Sequence, residues 1–136
     1  MTFIKRDSPE KITSTRLALA RVTIALGAAC EHHDLEGYDD AIRETEFAAL
    51  VLTHCRQIRE QPDTLEAEKE LQSCSDLLTE ANSAYLSSDY HGAKRALVLA
   101  PVHLDRYLQV LGPQFADLRD DLLPLITPPG SEESQH

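Results

Sequence analysis

Tryptophan is missing from this 136-residue chain, and aromatic residues of every kind make up only 5% of it. A core of any size must therefore be aliphatic, built from Leu, Ala, Ile and Val. Glycine is scarce too. Its five copies are scattered and form no phosphate-cradling loop and no G-x-S-x-G elbow for a serine nucleophile, so an enzyme is not expected. No apolar run approaches the roughly 20 residues that cross a bilayer. The most apolar early stretch, Leu17 to Cys30, is interrupted by Arg21, and the opening Met-Thr-Phe-Ile-Lys-Arg-Asp-Ser-Pro lacks the apolar stretch of a secretory signal. No membrane partner is expected. The three cysteines, Cys30, Cys55 and Cys74, cannot all pair and contain no C-x-x-C for zinc or thiol exchange, which points to a reducing, cytoplasmic setting. Positive charge is also short, with 13 basic residues against 23 acidic ones for a net charge of -10. Such a chain repels a phosphate backbone. Its basic front, Lys5, Arg6, Lys11, Arg16 and Arg21, has no interleaved aromatics on which bases could stack, so no nucleic-acid partner is expected. Strand signals are missing as well: no alternating β-branched and aromatic run, and no Asn-Gly or Asp-Gly turn.

What the chain does contain is aliphatic helix pattern. Hydrophobic residues reach 42%, and the length suits one domain over residues 1–126, followed by a tail over 127–136 that reads as disordered. Ser8-Pro9-Glu10 combines a capping hydroxyl, a proline at a position that needs no N–H, and an acid that suits the helix dipole. It starts a helix whose stripe is Ile12, Thr15, Leu19, Val22, Leu26 and Ala29, and which lasts to about His33. A second helix, from Tyr38 to Gln61-Pro62, carries Ala41, Ile42, Thr45, Ala48, Leu52, Cys55 and Ile58 on one face. Asp63 and Glu66 have the spacing of a capping box for a third helix, with stripe Ala67, Leu71, Cys74, Leu78, Ala81 and Tyr85. Ser87-Ser88-Asp89 supplies cap oxygens for a fourth, with stripe Ala93, Leu97, Ala100, Leu104, Tyr107 and Leu111. Pro101 either kinks or splits that helix; the stripe keeps its phase across it, which favours one kinked helix. A short fifth helix uses Phe115, Leu118 and Leu122 and is stopped by Pro124, Pro128 and Pro129. Long helices with short connections pack as antiparallel neighbours. The expected fold is all-α: an antiparallel up-down four-helix bundle of two helical hairpins, with a C-terminal fifth helix.

The two halves echo each other at a spacing of 52: Leu19 and Leu71, Leu26 and Leu78, Ala29 and Ala81, Tyr38 and Tyr90, Ala41 and Ala93, Arg43 and Arg95, Leu52 and Leu104. Each second helix opens on Tyr-x-x-Ala. Over Leu77 to Ala100, and more faintly over Leu26 to Ala48, the rhythm of Ala81, Ala84, Tyr90, Ala93, Leu97 and Ala100 resembles tetratricopeptide-type hairpins, although that family repeats at about 34 residues. The resemblance implies a partner-binding scaffold rather than an enzyme. Convergent packing of helix pairs accounts for the same residues.

In such a bundle the first and third turns lie at one end. They gather His32, His33, Asp34, Tyr38, Asp39 and Asp40 with Tyr85, Asp89, Tyr90 and His91. Imidazole and carboxylate could ligate a metal, which makes His32, His33, Asp34 and His91 the candidates. No H-x-x-x-H or Glu-x-x-His spacing supports them, and neither metal nor cofactor is expected. His33-Asp34-Leu35-Glu36-Gly37 resembles the H-x-L-K-G core of histidine phosphotransfer domains. That resemblance would make His33 a phosphate acceptor, with Glu36 in place of the helpful lysine. The adjacent His54 and Cys55 point in different directions and form no nucleophile and base pair. More informative is surplus apolar surface: Phe47 to Leu52 and Ala96 to Val102 are apolar around most of their helices, whereas one buried stripe suffices. With Phe47, Leu50, Val51, Val98, Leu99 and Val102 as binding residues, the expected function is a non-enzymatic adaptor, small chaperone or regulator that binds a protein partner, or a second copy as a homodimer. Central burial of the two helices accounts for the same pattern.

Overall fold

Helix ends set the architecture. In the computed structural model, which describes residues 9–59 and 64–126, the helices are α1 (Pro9–Asp34), α2 (Tyr38–Arg59), α3 (Leu65–Leu86), α4 (Tyr90–Leu111) and α5 (Ala116–Ile126). A 3-10 turn spans Pro113–Phe115, and no strand occurs among the described residues. The expected cap Ser8 and the expected disordered tail lie outside the described residues.

Leu35, Glu36 and Gly37 alone separate α1 from α2, and Ser87, Ser88 and Asp89 alone separate α3 from α4. The two turns are built alike. After α1 the Gly37 amide donates to the His32 carbonyl at 2.7 Å and the Glu36 amide to His33 at 3.0 Å. After α3 the Asp89 amide donates to Ala84 at 2.8 Å and the Ser88 amide to Tyr85 at 3.1 Å. This pair of bonds requires one residue in the left-handed region, and it falls on Glu36 (φ 62°) and Ser88 (φ 59°). Neither is glycine. Glu36→Gly and Ser88→Gly should each raise stability by roughly 0.5 kcal/mol, because relief of left-handed strain slightly exceeds glycine's extra freedom in the unfolded chain. The midpoint of urea unfolding checks this, and a lowered midpoint would show that these side chains contribute more than their strain costs.

The start of α3 corrects the expected capping box on Asp63. Thr64 is the cap, in extended backbone, and its hydroxyl accepts the Ala67 amide at 3.0 Å. The helix therefore begins one residue later. At the start of α4, Asp89 accepts the Gly92 amide at 2.9 Å, and a side chain on Gly92 would collide with the Asp89 carboxylate.

α1 packs along α2 and α3 along α4. The hairpins then close on one another through α2 against α3 and α1 against α4. The result is the expected four-helix bundle, with α1 diagonal to α3 and α2 diagonal to α4. α5 lies on α4 and α1 and buries Leu118 and Leu122 beside Phe115. It is clamped at both sides: the Arg16 guanidinium grips Asp117 at 3.0 and 2.5 Å and also reaches the Gln114 carbonyl, while Arg119 donates to Asp105 at 2.8 Å. The Asp117 carboxyl is held below its ordinary range chiefly by the Arg16 hydrogen bond. Pro124, expected to stop this helix, is instead inside it. So close to the end, a proline forfeits little of the hydrogen-bond ladder.

α4 is one continuous helix across Pro101. Proline has no N–H to offer the carbonyl four residues back, which leaves the Leu97 oxygen short of its helical donor. The Cys30 thiol from α1 points at that oxygen, at 4.0 Å. Burial pushes the Cys30 thiol pKa up, so the proton it donates is retained.

The core has two parts. The larger is aliphatic and includes Leu19, Leu26, Leu52, Leu71, Leu78, Leu104 and Leu108, with Tyr107 and Phe115 toward α5. The smaller is built from alanines, with Ala29, Ala41, Ala81 and Ala93 fully buried beside Tyr85 and Leu97. Small side chains permit close approach of the four helices at the end where both Tyr-x-x-Ala corners sit.

Candidate functional site

At that pole the spacing of 52 becomes a contact. His33 and Tyr85 occupy the same place in the two turns, and so do Tyr38 and Tyr90. The His33 Nδ1 lies 2.6 Å from the Tyr85 hydroxyl, and the Tyr38 and Tyr90 rings stack with centroids 4.0 Å apart and planes 6° from parallel. Equivalent residues that touch each other must sit on the axis relating them. At this pole the hairpins therefore meet about an approximate local two-fold that passes through both pairs. His33 also packs edge-on against Tyr38 at 5.2 Å, and Tyr85 lies 6.3 Å from both Tyr38 and Tyr90. Lys94 on α4 closes the cluster by bonding Asp34 at 2.6 Å.

Electrostatics set the protonation of the central pair. Burial pushes the Tyr85 phenol up to about 12, so it keeps its proton. Burial first, and the Lys94 charge second, hold the His33 imidazole below its ordinary value, so it stays neutral and the tautomer decides which of the two donates. Stability linked to His33 follows from the sign of that shift. A folded-state pKa held below the unfolded one means that the unfolded chain takes up the proton first as pH falls. The contribution is then complete above about pH 6.5, the unfolded value, and is lost as pH drops through the folded one. Thermal midpoints measured across mildly acidic pH should fall more steeply for the wild type than for His33→Gln. Parallel profiles would show that His33 titrates alike in both states.

Of the residues expected to gather, His33, Tyr38, Tyr85 and Tyr90 are in contact and Asp34 joins through Lys94. His91 is exposed and His32 half-buried, and neither hydrogen-bonds to the cluster among the described residues. Asp40 instead pairs with Arg43 on its own helix. The metal candidates His32, His33, Asp34 and His91 are not assembled into a ligand set: among the described residues no three His, Cys, Asp or Glu side chains gather to hold an ion. Lys94 was not foreseen; it is a basic residue one turn into a helix whose first turn carries no acid, and nothing local points to Asp34 as its partner.

The surplus apolar surface divides in two. Phe47 and Leu50 are exposed on α2, while Val98 and Leu99 are exposed and Val102 half-buried on α4. These helices are diagonal, so the six expected binding residues form two patches. Val51 points inward and is 8% exposed, because its register on α2 follows the buried Ala48 and Leu52 stripe. On the α2 side the structure supplies a neighbour that single-helix patterning could not: Leu17 of α1 stands across from Leu50. Between them runs a groove of about 640 Å³ lined by Ser14, Leu17, Ala18 and Arg21 of α1 and by Leu50, Val51, Thr53, His54, Gln57 and Ile58 of α2. Ala18 and Val51 are its floor, and Leu17 (53% exposed) and Leu50 (68% exposed) are its walls.

Fold and sites together define an all-α bundle whose polar aromatic pole is closed upon itself and whose α1–α2 seam is open and apolar. No helix among the described residues is long and apolar enough to cross a membrane. Comparison with protein-family models, with curated proteins and with solved structures found no match for the chain.

Proposed function

We propose that this protein is a non-enzymatic interaction module of the cytoplasm, an adaptor, small chaperone or regulator that binds another protein through its apolar helix faces. The observation that carries the reading is the α1–α2 groove with Leu17 and Leu50 standing in solvent on either side. Large aliphatic side chains clustered around a concavity mark an interaction surface, whereas single exposed ones are ordinary. The polar pole supports the same reading. His33 Nδ1 and the Tyr85 hydroxyl bond to each other, and the Tyr38 and Tyr90 rings stack, which ties the two hairpins together.

The test is molar mass in solution, alone and with candidate partners, for wild type, Leu50→Glu and Leu99→Glu. The two substitutions separate the α2 and α4 patches, and the reading requires that at least one of them abolishes an assembly while helicity and thermal midpoint persist. The rival, a metal-binding or phosphoryl-accepting pole, requires stabilisation by a divalent ion or by phosphorylation that His33→Ala removes.

A further inference from the structure

Which occupant the groove takes is indicated by its charge. The chain carries 23 acidic residues, yet the groove lining contains none. It holds Arg21 and His54 among apolar and neutral neighbours. Several cations outside the groove are neutralised, Arg16 by Asp117, Arg56 by Glu68, Lys94 by Asp34 and Arg119 by Asp105. Arg21, like Lys69, Arg95 and Arg106, makes no ion pair among the described residues, and of these it is the one that lines the groove, about two-thirds of the way from Ser14 to Ile24. The seam also has the dimensions of a short helix. Ile24 (71% exposed) continues the Leu17 and Arg21 stripe of α1 by one turn, and Phe47 continues the Leu50 and His54 stripe of α2. From Ser14 to Ile24 this is about 15 Å, or three turns.

We propose that the seam docks an amphipathic helix of a partner protein that presents apolar anchors at i, i+3 or i+4, and i+7, with one carboxylate among them directed to Arg21. This rests on the interaction reading above. A second copy of the chain fits less well, because two such seams face to face would set Arg21 and His54 against a lining with no acid. The net charge of -10 repels a broadly acidic partner, so the carboxylate is a single group within an otherwise neutral or basic helix.

The test uses the whole chain and a displayed library of alanine-based helical peptides about four turns long. Their apolar positions, and one polar position between them, are varied. Peptides selected on the wild type should carry Asp or Glu at the polar position and lose at least about tenfold in affinity on Leu50→Glu and on Leu17→Ser, both surface changes whose fold is checked by circular dichroism. Selection on Arg21→Glu should turn that position to Lys or Arg. Selected peptides with no acid preference, or with unchanged affinity for Leu50→Glu and Leu17→Ser, overturn the proposal. So does a wild-type dimer that Leu50→Glu dissociates, which would seat a second copy in the seam and overturn this occupant while upholding the interaction reading.

Discussion

Leu26→Ala and Leu78→Ala should each cost about 3 kcal/mol of unfolding free energy, and the two costs should agree to within about 1 kcal/mol. Both leucines are fully buried in the larger core. They stand 52 residues apart at matching heights on α1 and α3, the two diagonal helices of the local two-fold. Truncation removes the transfer free energy of three carbons and leaves a cavity that neighbours fill only partly. The four bundle helices surround the two sites alike, while α5, which lies on α1 and α4 and brings Leu125 near Gly27, has no counterpart beside Leu78; the two cavities should therefore relax similarly, with a residual difference of up to about 1 kcal/mol. Against a total stability of about 5–15 kcal/mol, either change is large, and the midpoint of urea unfolding followed by circular dichroism measures it, with the slope unchanged. A cost near zero at one site and not the other would mean that the two-fold describes the turns alone and stops short of the core.

The bundle itself was legible because its information is local and periodic. The stripes Leu19, Leu26, Ala29 and Leu71, Leu78, Ala81 are spaced for one buried face, and the two short turns leave antiparallel packing as the simple outcome. Up-down topology placed both Tyr-x-x-Ala corners at one pole, and the spacing of 52 marked them as equivalent. What could not be read was which equivalent residues touch, because the position of a two-fold axis depends on how far the hairpins approach, and that is set by four alanines acting together. Gly37 looks like the left-handed residue of the first turn, yet the strain falls on Glu36. The turn counts residues from the last helical carbonyl and does not choose by type. The cap slipped from Asp63 to Thr64 for a similar reason, since both are good caps and only the backbone decides between them.

The groove was half legible. Phe47 and Leu50 stand out on α2 as apolar residues beyond the buried stripe, but the matching Leu17 and Ile24 on α1 read as part of an apolar helix, and Arg21 as an interruption in it. A groove is a property of two helices in register, and periodicity within one helix says nothing about the register of its neighbour. The free thiol of Cys30 carried no readable role either, until the continuous α4 showed a Leu97 carbonyl deprived of its donor by Pro101.

Enlarging the alanines at the pole tests the link from packing to chemistry. Ala41→Leu and Ala93→Leu each insert three carbons at fully buried, symmetry-equivalent positions where the helices converge. Well-packed interiors accept such volume only by moving backbone or straining rotamers, at about 1–3 kcal/mol each, and here the movement that relieves it parts the two hairpins. The Tyr38 and Tyr90 rings, now 4.0 Å apart, would lose their stack. The bond between His33 and Tyr85 at 2.6 Å would open to water. Three readouts should therefore move together: a lower unfolding midpoint, a weaker near-ultraviolet signal from tyrosine, and a His33 pKa that climbs back toward its ordinary value as burial is relieved. The last is measurable by titrating the imidazole resonance. Destabilisation with an unmoved His33 pKa would show that the leucine is absorbed within its own hairpin, and that convergence of the four helices is not what holds the aromatic cluster closed.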